Sequence, residues 1–112
     1  MDTQAVQGGF SGSERREFHR KRLRANLEIE WGSATLNGMV RDIGPRGLFV
    51  EIQPPLWVGA AFLARLIVNP VVVLDCTVRR VEPGKGVAVS FAVPEESAKA
   101  QLMTLIEALP QV

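Results

Sequence analysis

The chain has 112 residues, 46% hydrophobic and 22% charged, with a formal net charge of +1 and a single cysteine; this suits one domain with one core that folds without disulfides or metal. Its apolar runs, Leu66-Ile67-Val68 and Val71-Val72-Val73-Leu74 parted by Asn69-Pro70 among them, fall far short of the roughly 20 residues of a membrane span. Met1 to Gly9 lacks the basic and apolar regions of a signal peptide, so no membrane insertion and a cytoplasmic location are expected.

Residues 1 to 13 are rich in Gly, Ser and Gln and offer only Val6 and Phe10 as bulky apolar groups; they read as a disordered tail. Residues 14 to 24 follow as an arginine-rich segment. It holds Arg15, Arg16, Arg20, Lys21, Arg22 and Arg24 against Glu14 and Glu17, a local charge of +4, whereas residues 25 to 112 carry a local charge of −2. Attraction for anions is therefore confined to one place. A protein that coats nucleic acid spreads positive charge over a face and has a strongly basic isoelectric point, so a small anionic ligand is favoured over a long polyanion. With only Phe18 and Leu23 to bury, the segment is expected to be a mobile loop.

From Ala25 to Trp31 apolar and polar residues alternate at period 2, as in a strand with one buried face. Gly32-Ser33 makes a turn, and Ala34 to Ile43 and Gly47 to Ile52 read as the next strands, joined through Gly44-Pro45-Arg46 and ended by Pro54-Pro55. Ala61 to Val68 and Val71 to Val81 are the next strands, with Leu74, Cys76, Val78 and Arg80 on one face of the second. Cys76 reads as a small buried hydrophobe in a reducing compartment. Glu82-Pro83-Gly84-Lys85 is a turn before the strand Gly86 to Phe91. Six short strands at this spacing predict a mainly β fold, a six-stranded antiparallel barrel over residues 25 to 93. The period then changes: Ala98, Leu102, Leu105, Ile106 and Leu109 recur at helical spacing after Pro94 and Glu95-Glu96. This predicts an amphipathic C-terminal helix over residues 94 to 109, with Pro94 in its first turn, packed on the barrel.

Enzymatic chemistry finds little support. The one histidine, His19, lies among cations, Cys76 has no local histidine, and neither a Walker-type phosphate loop nor clustered metal-ligand spacing occurs. No catalytic residue, cofactor or metal is assigned. The arginines and Asp42 suggest binding instead. A guanidinium is a planar, permanently charged fork that takes two hydrogen bonds from phosphate or from the O6 and N7 edge of guanine, and it can stack on a purine. A carboxylate such as Asp42 complements the ring N–H and amino group on guanine's other edge, a donor pair that adenine lacks. Gly44 and Gly47 permit backbone conformations closed to other residues and let a ligand approach. A small barrel that binds single-stranded nucleic acid needs exposed aromatics interleaved with basic residues. Here there is no tyrosine, and Phe49, Phe62 and Phe91 read as core.

Arg15-Arg16, three residues, then Arg20, followed by Asp42-Ile43-Gly44-Pro45-Arg46-Gly47 between two strands, resembles the PilZ domain, a bacterial receptor module for cyclic di-GMP (c-di-GMP). Val40-Arg41-Asp42-Ile43, Val78-Arg79-Arg80-Val81 and Gly86-Val87-Ala88-Val89-Ser90-Phe91 agree with it. The resemblance implies a split-barrel PilZ fold over residues 14 to 112, with residues 14 to 24 as an arginine switch loop. It also implies a cyclic di-GMP site in which Arg16 and Arg20 match the RxxxR motif and Arg15 the frequent extra arginine. Asp42 and Gly47 match the first and last positions of (D/N)xSxxG. Such domains often take the ligand as a stacked dimer, and the output implied is an adaptor that signals to a partner protein in trans. Gly44 stands where the motif has serine, which removes a hydroxyl worth about 0.5 to 1.5 kcal/mol and leaves the backbone N–H of Gly44 available. The alternative implied by that departure is a degenerate PilZ interaction module that binds no nucleotide.

Overall fold

The computed structural model describes residues 20–53 and 56–112, so the tail expected over residues 1 to 13 lies outside the described residues. In chain order the elements are β1 (Lys21–Trp31), β2 (Ala34–Ile43), β3 (Gly47–Glu51), β4 (Ala61–Leu66), β5 (Val72–Glu82), β6 (Gly86–Ala92) and α1 (Glu96–Ala108). The strands pair antiparallel and close in the order β1-β2-β3-β6-β5-β4. The barrel with a C-terminal helix predicted from strand spacing is the fold observed.

Period-2 patterning makes this closure possible. In β1 the buried residues Ala25, Leu27 and Ile29 alternate with partly exposed Asn26 and Glu28, and Gly32 at φ 63° turns the chain so that Trp31 pairs with Ala34. Pairing of Leu27 with Leu66 and Ile29 with Ala64 joins β1 to β4 and seals the barrel. Leu27, Ile29, Leu66, Leu74 and Val78 are all 0% exposed at its centre. From α1, Leu102 and Ile106 join the same cluster, each burial stabilising by roughly 1.5 to 3 kcal/mol.

Strand ends shift by one or two residues from the sequence reading, β4 for example closing at Leu66 instead of Val68, and three differences matter more. β1 begins at Lys21 rather than Ala25, so the last four residues of the expected arginine loop are strand. Lys21 pairs with Ile43 and Arg22 with Asp42. On the other side Arg22 N–H donates to Pro110 O at 2.7 Å and Val112 N–H to Arg20 O at 3.1 Å. Charged side chains mask this strand in the sequence because the backbone makes its bonds. α1 begins at Glu96 with Glu95 in an extended conformation (φ −98°, ψ 126°) as its N-cap, so Pro94 precedes the helix instead of occupying its first turn. Finally, Arg80 leaves the buried face of β5: the register shifts between Val78 and Arg80, and a bulge resets the alternation.

Candidate functional site

A bulge in β2 creates the site. Val40 pairs with Val50, yet Asp42 pairs with Phe49 and Ile43 with Leu48, so Arg41 and Asp42 together oppose the single residue Phe49. Val40 and Ile43 consequently both face the core, and Asp42 is turned to the outside. Shifts in β1 between Arg22 and Ala25 and in β5 between Val78 and Arg80 accompany it. The result is a row across five strands, Arg22, Asp42, Phe49, Ala88 and Arg80, in register. A recess of about 430 Å³ opens over it, lined by Arg20, Arg41, Asp42, Phe49, Arg80 and Val112 among others.

Asp42 is only 6% exposed, and a carboxylate so buried requires charge-bearing donors. It has them on both oxygens. Arg20 donates to Oδ1 from Nε at 2.9 Å and from Nη2 at 2.5 Å, and Arg41 donates to Oδ2 from Nε at 2.9 Å. Arg20 also reaches Gly47 O from Nη1 at 3.4 Å. Arg41 lays its guanidinium over Phe49, 4.0 Å from the ring centroid. Phe49 is 1% exposed, as a core residue is expected to be. It stands outside the contiguous core cluster, however, and is covered from the outer side by Arg41. The side chains of Arg20 and Arg41 remain 42% and 45% exposed. Two half-exposed guanidiniums flanking one satisfied carboxylate make a positive, planar surface suited to an anion that carries flat rings.

The turn after β2 has a different logic from the one expected. Gly44 N–H donates to Gly47 O at 2.8 Å, so this donor closes the turn and is not available to a ligand. Gly47 is not among the glycines with left-handed backbone, Gly32, Gly59, Gly84 and Gly86. A Cβ on Gly47 would stand 2.7 Å from Val89 O; the residue is small because β3 lies close against β6.

Of the residues assigned from sequence, Arg20, Asp42, Gly44 and Gly47 come together. Arg15 and Arg16 lie outside the described residues. Sequence reasoning missed Arg41, Phe49 and Arg80 as members of the site. The bulge shows in the sequence only as a break in period 2, apolar Val40 and Ile43 standing three apart with Arg41 and Asp42 between them, and that break was the available cue. Trp31 packs edge-on against Trp57 at 5.1 Å, nine residues along β1 from Arg22, which is about 30 Å of strand.

Elsewhere among the described residues, no three His, Cys, Asp or Glu side chains are grouped to hold a metal. No helix there is long and apolar enough to cross a membrane. Cys76 is fully buried, and burial, helped by the charge of Asp75, pushes its thiol up to about 12. It is a packing residue, not a nucleophile.

Residues 14–108 match the PilZ domain family. No curated protein matches the chain as a sequence relative. Among solved structures, the chain is similar to the PilZ domain of YcgR from Escherichia coli, determined with c-di-GMP, at 15% identity and a TM-score of 0.68, over 85% of this chain and 91% of that one. It is similar to the PilZ domain of CeSA from a cellulose-synthesizing bacterium at 18% identity and a TM-score of 0.64, over 80% and 95% of the two chains. It is also similar to the inhibitor of motility MotI/DgrA of Bacillus subtilis, at 13% identity and a TM-score of 0.68, covering 83% of this chain but only 49% of that protein. At these identities the likeness is one of fold.

Proposed function

The chain belongs to the PilZ domain family, and on that premise we propose that it is a cyclic di-GMP receptor, a binding module without catalytic activity, whose PilZ domain, arginine switch loop included, spans residues 14 to 112. The observation that carries this reading is the cluster of Arg20, Asp42 and Arg41 at a recess of about 430 Å³ on the outer face of the barrel. The donor set suits a cyclic dinucleotide: guanidiniums for its phosphodiesters and guanine edges, and a carboxylate for the paired donors of guanine. The YcgR domain of the same fold was determined with c-di-GMP, which supports transferring the ligand class.

In the proposed mechanism Arg15, Arg16 and Arg20 bind the ligand together with Asp42, while Gly44 and Gly47 shape the turn beside it. Arg20 exchanges part of its bonding to Asp42 for a phosphate or a guanine edge. The segment carrying Arg15 and Arg16 orders as phosphodiesters neutralise its charge, with one dinucleotide or a stacked pair filling the site. The ordered segment is the surface that a partner protein reads in trans, in the cytoplasm. Calorimetric titration with cyclic di-GMP tests this directly. Binding in the micromolar range or tighter is expected, with losses of at least tenfold for Arg16→Ala, Arg20→Ala and Asp42→Ala. Unchanged affinity in all three variants would sink the site assignment.

A second reading has one observation in its favour. Gly44 brings no hydroxyl and its N–H is committed to Gly47 O, so the turn offers a ligand less than the family motif does. On this reading the chain is an interaction module that binds no nucleotide, and a flat titration at high micromolar cyclic di-GMP would favour it.

A further inference from the structure

We propose that Arg41 is itself a ligand-binding residue, a stacking platform for one purine base; this rests on the cyclic di-GMP reading above. Three observations converge on its guanidinium. One face is occupied, since the group lies 4.0 Å from the centroid of Phe49 and that ring is 1% exposed. Its rotation in the plane is held by the Nε bond to Asp42 Oδ2 at 2.9 Å. Its other face is open: the side chain is 45% exposed, and Arg41 and Phe49 line both the recess of about 430 Å³ and a neighbouring one of about 450 Å³ that includes Lys85.

Chemistry then favours a flat ring over a phosphate as its partner. The Nε bond to Asp42 and the ring of Phe49 together fix the tilt of the guanidinium, so it meets a ligand broadside, with a weakly hydrated outer face suited to stacking on a purine. Backed by an aromatic ring, the guanidinium is held in place and loses little rotamer freedom when a base lands on it. Phe49, Arg41 and the base would form a three-layer stack. A base seated there lies beside Asp42, so the platform also brings guanine's donor edge towards the carboxylate. Arg41 reaches this position because the β2 bulge sets it and Asp42 against a single residue of β3.

The test is calorimetric titration of the full chain with cyclic di-GMP at several salt concentrations, using Arg41→Lys and Phe49→Leu. Lysine keeps the charge and loses the plane; leucine keeps an apolar side chain and removes the ring beneath. Loss of about 5- to 30-fold in affinity is expected for Arg41→Lys, with the weakening of binding by salt unchanged because the charges screened are the same. Phe49→Leu should weaken binding in the same direction. Wild-type affinity in Arg41→Lys overturns the platform and leaves the receptor reading standing. A companion variant, Arg41→Gln, keeps a flat polar end and loses the charge; if it binds more weakly than Arg41→Lys the platform is also overturned, since Arg41 would then act through its charge as a phosphate contact. Absence of binding by the wild type overturns the receptor reading, and the platform with it. Arg41 is half-exposed, so its lysine variant should fold and decides the matter even if Phe49→Leu does not.

Discussion

Arg20 grips Asp42 across 22 residues of sequence through two nitrogens, Nε at 2.9 Å and Nη2 at 2.5 Å, both on the same carboxylate oxygen. Arg41 holds the other oxygen from the next position in the chain. The carboxylate thereby organises both guanidiniums. Any phosphate that engages Arg20 competes with an internal partner, so affinity at this site is a difference between two charge-assisted interactions rather than the whole of either.

Replacing the charge on that organiser should loosen the site more than the fold. In Asp42→Asn both arginines lose their anion, but their side chains are 42% and 45% exposed and can rehydrate. A stability loss of about 1 to 3 kcal/mol is expected, since the carboxylate is buried though its partners are not, together with at least a tenfold drop in affinity for cyclic di-GMP. Urea unfolding followed by the emission of Trp31 and Trp57 measures the first. Trp31 ends β1 and Trp57 packs against it, away from Arg22 and Asp42, so both should stay silent on ligand addition. A loss well above about 3 kcal/mol would mean that Asp42 holds the barrel itself.

Gly47→Ala should do the reverse. Its Cβ would stand 2.7 Å from Val89 O, a backbone atom of the paired strand β6, so relief requires β3 and β6 to separate. Overpacking of this kind costs about 1 to 3 kcal/mol, visible as a lower urea midpoint. A variant as stable as the wild type would show that the β3–β6 contact can give way.

Gly44→Ser restores the hydroxyl that the family motif carries. Because Gly44 N–H already closes the turn onto Gly47 O, a serine hydroxyl would be an added donor rather than a replacement. A net hydrogen bond of about 0.5 to 1.5 kcal/mol corresponds to about a 2- to 12-fold gain in affinity. Titration of the two proteins side by side reads it, and equal affinities would place the hydroxyl away from the ligand.

What the sequence disclosed and what it hid divide along physical lines. Alternation in Ala25 to Trp31 and the change of period after Ser97 report burial directly, so the barrel and helix were legible. Asp42 and Arg20 were legible because charge-bearing side chains at motif spacing state their chemistry. Register was not. The bulges beside Asp42 and Arg80 shift which residue faces outward without altering composition, so Arg41 and Phe49 could be read as bystander and core. The strand at Lys21–Arg24 was hidden likewise, since backbone bonds to Pro110 and pairing with β2 leave no apolar signature.

Lys21 carries a role that belongs to the helix. α1 has no basic residue in its last turn, and its terminal carbonyls are served by Lys21 Nζ, which donates to Glu107 O at 3.2 Å and Leu109 O at 3.1 Å. A cation at a helix C-terminus contributes about 0.3 to 1 kcal/mol. Lys21→Met should therefore lower stability by that amount, more at low ionic strength than in high salt. If the loss does not diminish with salt, packing of the lysine stem is its cause.

Cys76 gives the stability of the barrel a dependence on alkaline pH. Its thiol is buried and pushed up to about 12, by burial first and by the charge of Asp75 second; in the unfolded chain a cysteine titrates near 8.5. Between those values the unfolded state has released a proton that the folded state retains, so stability falls as pH rises. The contribution is fully present below about pH 8 and drains at up to about 1.4 kcal/mol per pH unit above it. Cys76→Ala lacks this titration and should show a flatter decline between pH 9 and 11, although the cavity it leaves makes it less stable at pH 7. Denaturation midpoints of the two proteins across that range provide the comparison. Parallel curves would mean that the thiol ionises in place, through water reaching the centre of the barrel.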